Sequence, residues 1–193
     1  MKQMDIVLVG VGGQGTLLAS RILGALAMGL NYDVKVSEVH GMAQRGGSVV
    51  TYVRIGDKVN SPLVEAGSAD YVLAFEQLEA ARAMEYLKKG GCVIVNSQKI
   101  SPMPVVTGTT AYPEGLLERL SGACDVVALD AYGLAEQAGE ARAVNLVLLG
   151  VLCARMDSDK AAWLRAIESC VPAKFVEVNK KAFELGYQTQ QKQ

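Results

Sequence analysis

Two glycine-bearing stretches hold the residues whose types and spacing could do chemistry. In VLVGVGGQGTLLASRIL, Gly10, Gly12 and Gly15 keep a G-x-G-x-x-G spacing between a strand-like run and a helix-like one. In that setting Gly10 permits a sharp turn, Gly12 lets backbone N–H groups approach an anion, and Gly15 lets the helix lie close to the strand. Gly13 and Gln14 complete the turn, and the helix behind it would add a partial positive charge from its N-terminus. The same glycines could form a bare turn with no ligand, and both readings stay open here. A dinucleotide would want an acidic residue about 20 positions further on for its ribose, and Glu38 is the candidate.

The second stretch, EVHGMAQRGGSVVTYVRIGD, is the more distinctive. His40, Gln44 and Arg45 bracket a turn closed by Gly46 and Gly47, between two strand-like runs. Arg45 offers a planar fork of donors suited to a carboxylate or a phosphate; the plain alternative is a solvated hairpin turn. His40 is the sole histidine, so a His-rich metal site is out of reach, and it reads as structural or interfacial rather than catalytic. The cysteines at 92, 124, 153 and 170 form no C-x-x-C pair, whereas an iron–sulfur cluster draws on closely spaced thiolates. No thiamine diphosphate motif of the GDG type is present. We therefore assign this chain no catalytic residue and no metal ligand.

The totals narrow the classes further. Of 193 residues 50% are hydrophobic, enough for a core without disulfide staples. Nineteen basic against 20 acidic side chains leave a net charge of −1, which argues against a nucleic-acid footprint. The longest apolar stretch, Ala143 to Ala154, is broken by Asn145 and Gly150 and is shorter than the roughly 18 residues that mark a membrane span. With no signal peptide and dispersed cysteines, a cytoplasmic protein with reduced thiols is expected.

The elements that must position the two loops can be read in order. Strands are expected at Asp5–Val9, Asp33–Val39, Val49–Ile55, Asp70–Phe75, Cys92–Asn96 and Asp125–Leu129. Helices are expected at Thr16–Gly29, at Glu76–Lys89 with Gly90 and Gly91 as its C-cap, and at Leu116–Leu120. Ser97–Pro113, with three prolines, reads as loop with room for one short strand. Beyond Ala131 the signals are helical: a buried helix over Ala143–Met156, one from an N-cap at Ser158 to Val171, and a last one carrying NKKAFELG with Gly186 as C-cap. Strands alternating with helices imply an α/β fold, a Rossmann-like, doubly wound and mainly parallel sheet with C-terminal helices packed on it. The chain reads as a single domain, with a sheet core over 1–130, helices over 131–187 and a frayed tail over 188–193.

GVGGQG followed by EVHGMAQRGG resembles the gamma-type domain of 2-oxoacid:ferredoxin oxidoreductases. The likeness runs on through SPLVEAGSADYVLAFEQLEAAR, GGCVIVNSQKI, NLVLLG and NKKAFELG, and so spans nearly the whole chain. Gln77 departs from the proline of many relatives. Within the family the indolepyruvate branch is the best match; its beta subunit is little more than this domain. That resemblance implies a subunit that is not catalytic alone, in an α2β2 assembly with a larger alpha subunit bearing thiamine diphosphate and iron–sulfur clusters. The complex would oxidatively decarboxylate aryl pyruvates, with coenzyme A as acyl acceptor and ferredoxin as electron acceptor. Gly10, Gly12, Gly13, Gln14 and Gly15 would then hold a phosphate-bearing ligand. His40, Gln44, Arg45, Gly46 and Gly47 would face the partner or its active site. Three other readings stand beside it: a stand-alone NAD-dependent oxidoreductase, an ATP-dependent adenylating enzyme, and a regulatory nucleotide-binding module.

Overall fold

The computed structural model describes residues 3–40 and 47–191. Among these residues six strands form one sheet: β1 (Met4–Val11), β2 (Asp33–His40), β3 (Ser48–Gly56), β4 (Ala69–Ala74), β5 (Leu87–Asn96) and β6 (Asp125–Leu129). Their spatial order is β2-β3-β1-β4-β5-β6. β1, β4, β5 and β6 run parallel, while β3 is antiparallel to both of its neighbours. The sheet is thus mixed and mostly parallel, with β2 and β3 as an antiparallel addition beyond β1.

Among the described residues eight α-helices follow in chain order: α1 (Thr16–Gly29), α2 (Gln77–Arg82), α3 (Met103–Val106), α4 (Leu116–Ala123), α5 (Ala131–Ala138), α6 (Val144–Arg155), α7 (Lys160–Cys170) and α8 (Val176–Gln188). They cover both faces of the sheet, which explains why β1 is apolar without alternation. Ile6 and Leu8 point into one core with Leu73, Ile94, Ile22 of α1, Leu148 of α6 and Phe183 of α8. Val7 and Val9 point into the other with Val72, Val93, Ala80 of α2 and Leu120 of α4. α6 is buried nearly all round, as its unbroken apolar run requires.

Several local expectations are corrected. The helix expected over Glu76–Lys89 ends at Arg82, tightens into a 3-10 turn over Ala83–Tyr86, and gives way to β5 at Leu87. Gly90 and Gly91 are therefore no C-cap. They lie in β5 where its register against β4 shifts, and a Cβ at Gly91 would stand 3.0 Å from the carbonyl oxygens of both Ala69 and Asp70. The Ser97–Pro113 segment contains the single turn of α3 and no strand. Asp159, not Ser158, caps α7 by accepting from the Ala161 N–H. The Ser158 hydroxyl instead accepts from Trp163 Nε1 at 2.7 Å, satisfying a fully buried indole. Gly186 lies inside α8, where its missing side chain lets the helix cross α6.

Candidate functional site

The carboxyl ends of β1, β4 and β5 meet at one edge of the sheet, and the first glycine loop is built into that edge. A Cβ at Gly10 would lie 2.7 Å from Gln14 Oε1 and 3.0 Å from Phe75 Cβ, so a side chain there would displace Gln14 from its present place. The Val11 N–H donates to Gln14 Oε1 at 2.7 Å, while Gln14 Nε2 donates to the Phe75 carbonyl at 3.1 Å. Gln14 is thus a strut between the ends of β1 and β4. Gly13 and Gly15 take φ of +97° and +86°, the left-handed region that favours glycine. Asn145 of α6 donates to the Gly15 carbonyl at 3.2 Å, which fixes the loop from below.

The Gly12 N–H, which the sequence offers to an anion, donates instead to the Gly47 carbonyl at 3.1 Å. That bond ties the two glycine stretches together. The rest of the register agrees: Gly10 pairs with Val49, and Val49 with His40. Both stems of the second loop therefore stand at the carboxyl edge beside the first. The exit stem is held again from α2, where Ser48 Oγ donates to Glu79 Oε2 at 2.5 Å and Arg82 Nη1 to Glu79 Oε1 at 2.6 Å. Gln44, Arg45 and Gly46 lie outside the described residues, as does the side chain of His40.

Next to Gly13 and Gln14 opens a cleft of about 200 Å³, lined also by Gln98, Ile100, Tyr132 and Arg142. α1 begins here with no side-chain cap and no acidic residue in its first turn, so its partial positive charge is not cancelled locally. Arg142 also lines the cleft, as one half of an ion pair. Its side chain is 82% exposed and grips Glu140 through Nε at 2.9 Å and Nη2 at 3.1 Å. That guanidinium holds the Glu140 carboxyl down at about 2. Arg142, Tyr132 and Gln98 are polar lining residues that sequence reasoning missed. They arrive from separate segments, and no local motif marks them.

Glu38 does not reach this loop in the manner of a ribose-binding acid. In this sheet β3 stands between β1 and β2, and Glu38 pairs with Thr51, which in turn pairs with Leu8. The inserted strand moves Glu38 one strand spacing further from the turn than the dinucleotide arrangement requires.

The four cysteines are free and do not fit a cluster. Thiolate is the form that ligates a metal, yet burial, reinforced by Asp125, pushes the Cys92 thiol up to about 12. Burial also raises Cys153 and Cys124. Among the described residues no three His, Cys, Asp or Glu side chains come together to hold a metal ion. We expect iodoacetamide at about pH 8 to modify half-buried Cys170 first and to spare Cys92 and Cys153 until the chain unfolds. Peptide mass mapping reads the order; early labelling of Cys92 would contradict this account.

Comparison with known proteins places this geometry. The family model described as pyruvate ferredoxin/flavodoxin oxidoreductase matches residues 5–189. The chain is 44% identical to indolepyruvate oxidoreductase subunit IorB of Pyrococcus horikoshii, over 96% of this chain and 95% of that one. The gamma subunit of a keto/oxoacid ferredoxin oxidoreductase from Geobacter sulfurreducens superposes with a TM-score of 0.74 at 27% identity, over 98% and 99% of the two chains. Ketoisovalerate oxidoreductase subunit VorA of Methanothermobacter thermautotrophicus is 27% identical over 95% of this chain, but over only 36% of its own length. The family match runs from the first strand to the end of the last helix and leaves no separate element to assign elsewhere: the chain belongs to the pyruvate ferredoxin/flavodoxin oxidoreductase family.

Proposed function

We infer that this chain is the small subunit of an indolepyruvate-type 2-oxoacid:ferredoxin oxidoreductase. The observation that carries the reading is the full-length match to IorB, 44% identical with 95% of that protein covered. The reaction converts an aryl pyruvate and coenzyme A to aryl-acetyl-CoA and carbon dioxide, while two electrons pass to ferredoxin. Thiamine diphosphate and the iron–sulfur clusters, which supply the decarboxylation and electron-transfer chemistry, belong to the larger partner in this reading.

The small subunit contributes shape and charge at its carboxyl edge. The uncapped start of α1 flanks the cleft beside Gly13, and its partial positive charge favours a phosphate-bearing co-substrate such as coenzyme A; Arg142, paired with Glu140, lines the same cleft. The second loop, bonded to the first through Gly47, is directed to the partner. Covering the reacting centre in this way would exclude water from it. No helix among the described residues is long and apolar enough to cross a membrane, and a cytoplasmic setting suits the four free thiols.

Reconstitution tests the reading. The purified chain is expected to be colourless and inactive, and to support aryl pyruvate- and coenzyme A-dependent ferredoxin reduction only with its large subunit. Oxoacid-dependent dye reduction by the lone chain, or full activity of the large subunit without it, would overturn the assignment.

A further inference from the structure

The loop that leaves the carboxyl end of β5, residues 97–113, differs from a free protein surface in composition. Lys99 is its one charged residue, and that ammonium lies back over the Tyr112 ring, 5.7 Å from its centroid. At its tip α3 buries none of its residues, leaving Met103 67% and Val106 65% exposed. Depletion of charge around exposed large apolar side chains is the mark of an interface core.

This loop is also held rigid before anything covers it. Glu76, 1% exposed, accepts from the Ile100 N–H at 3.1 Å and from the Tyr112 hydroxyl, both on Oε1. Its other oxygen accepts from the Glu79 N–H at 3.0 Å. One buried carboxylate therefore pins both ends of the loop to the start of α2. Between those ends the tip satisfies its own backbone: the Val105 N–H donates to the Pro102 carbonyl, and the Thr107 hydroxyl to the Met103 carbonyl at 3.0 Å. Pro102 and Pro104 restrict φ further. A segment ordered in advance loses little entropy when it docks.

We propose that residues 97–113 form a docking arm for the larger catalytic subunit, with Met103 and Val106 as its anchors in an apolar recess of that partner. The proposal rests on the functional reading above and extends it to a second contact. Position selects this occupant over a second copy of the chain. Gln98 and Ile100 at the root of the arm line the cleft beside Gly13, on the edge that also carries the second loop, so one partner meets all three. The VorA relative, matched over 36% of its length, carries this domain within a much longer oxidoreductase polypeptide.

The test compares Met103→Glu and Val106→Glu with Met28→Glu. Met28 is 64% exposed but lies near the end of α1, at the opposite edge of the sheet. Each variant is titrated against the large subunit, with thermal melts as a check on folding. Both arm variants should weaken assembly by on the order of tenfold or more, with melts unchanged, while Met28→Glu binds as wild type. Wild-type affinity in both arm variants overturns the arm alone, and so does equal weakening by Met28→Glu. If the wild-type chain forms dimers that Met103→Glu dissolves while subunit binding is untouched, the occupant is a second copy and the proposal fails. A wild-type chain that does not bind the large subunit overturns the functional reading, and the arm with it.

Discussion

Gly150→Ala and Gly186→Ala should each destabilise the chain by on the order of 3 kcal/mol, although both replace glycine inside a helix. Propensity alone predicts the opposite sign, since glycine in a helix interior is worse than alanine by roughly 1 kcal/mol. The packing of α6 on α8 reverses it. A Cβ built on Gly150 would overlap the Phe183 carbonyl and stand 2.8 Å from the Tyr187 nitrogen, and one on Gly186 would overlap the Val147 carbonyl. In each case the obstruction is the backbone of the facing helix, which cannot rotate out of the way as a side chain could. The two helices would have to separate, opening the core that holds Leu146, Leu148, Trp163 and Phe183 at 0% exposure. Asn145, which fixes the glycine loop through Gly15, would move with α6, so binding should suffer as well. Thermal melts should fall by roughly 6–12 °C for a chain of this size. Gly24→Ala in α1 is the control: nothing lies within 4 Å of a Cβ there, so that variant should hold its melting temperature or gain slightly. Equal behaviour of the three variants would refute the close crossing.

The same glycines show where local reading succeeds and where it stops. The turn at Gly10–Gly15 is legible because its cause is local: a buried strand, positive φ at Gly13 and Gly15, and a helix within a few residues. Gly90 shares the positive φ, at +78°, but within a strand, while Gly91 and Gly186 carry the same letter for other reasons. Gly91 passes the carbonyls of Ala69 and Asp70, and Gly186 passes α6, and both neighbours are remote in sequence. A cap, a bulge and a helix crossing all ask for glycine, so position near the end of a helical run misled the reading of both. The alternation from Val49 to Ile55 marked β3 correctly, yet its insertion between β1 and β2 is a topological fact that alternation does not encode. Likewise the cleft draws Gln98, Tyr132 and Arg142 from three segments; each looks like an ordinary surface residue until the chain folds.

Arg45→Ala is expected to weaken subunit assembly or oxoacid-dependent electron transfer by on the order of 2 kcal/mol, about thirtyfold. Arg45 itself lies outside the described residues, and its case is made by the stems that carry it. His40 and Ser48 end their strands at the carboxyl edge, the Gly47 carbonyl is bonded to the Gly12 N–H at 3.1 Å, and Ser48 is held by buried Glu79 at 2.5 Å. These bonds fix where the loop leaves the sheet, next to the start of α1 and on the side where α/β sheets bind ligands. An arginine carried there has two candidate counter-groups, a carboxylate of the large subunit or a phosphate of coenzyme A, and its planar fork can meet either through two parallel bonds. Removing one member of such a desolvated pair leaves the other buried and unpaired, which is why the expected loss exceeds that of an exposed ion pair. Arg45→Lys keeps the charge without the fork and should recover only part of the affinity. Folding should be untouched, because Gly12, Gly47, Ser48 and Glu79 make the stem bonds named above, and thermal melts check it. The two targets separate in the assay: a partner carboxylate shows as weaker subunit affinity at saturating coenzyme A, a phosphate as a raised apparent KM for coenzyme A with assembly intact. A solvated turn predicts neither, and wild-type values for both variants in both assays would remove Arg45 from the site.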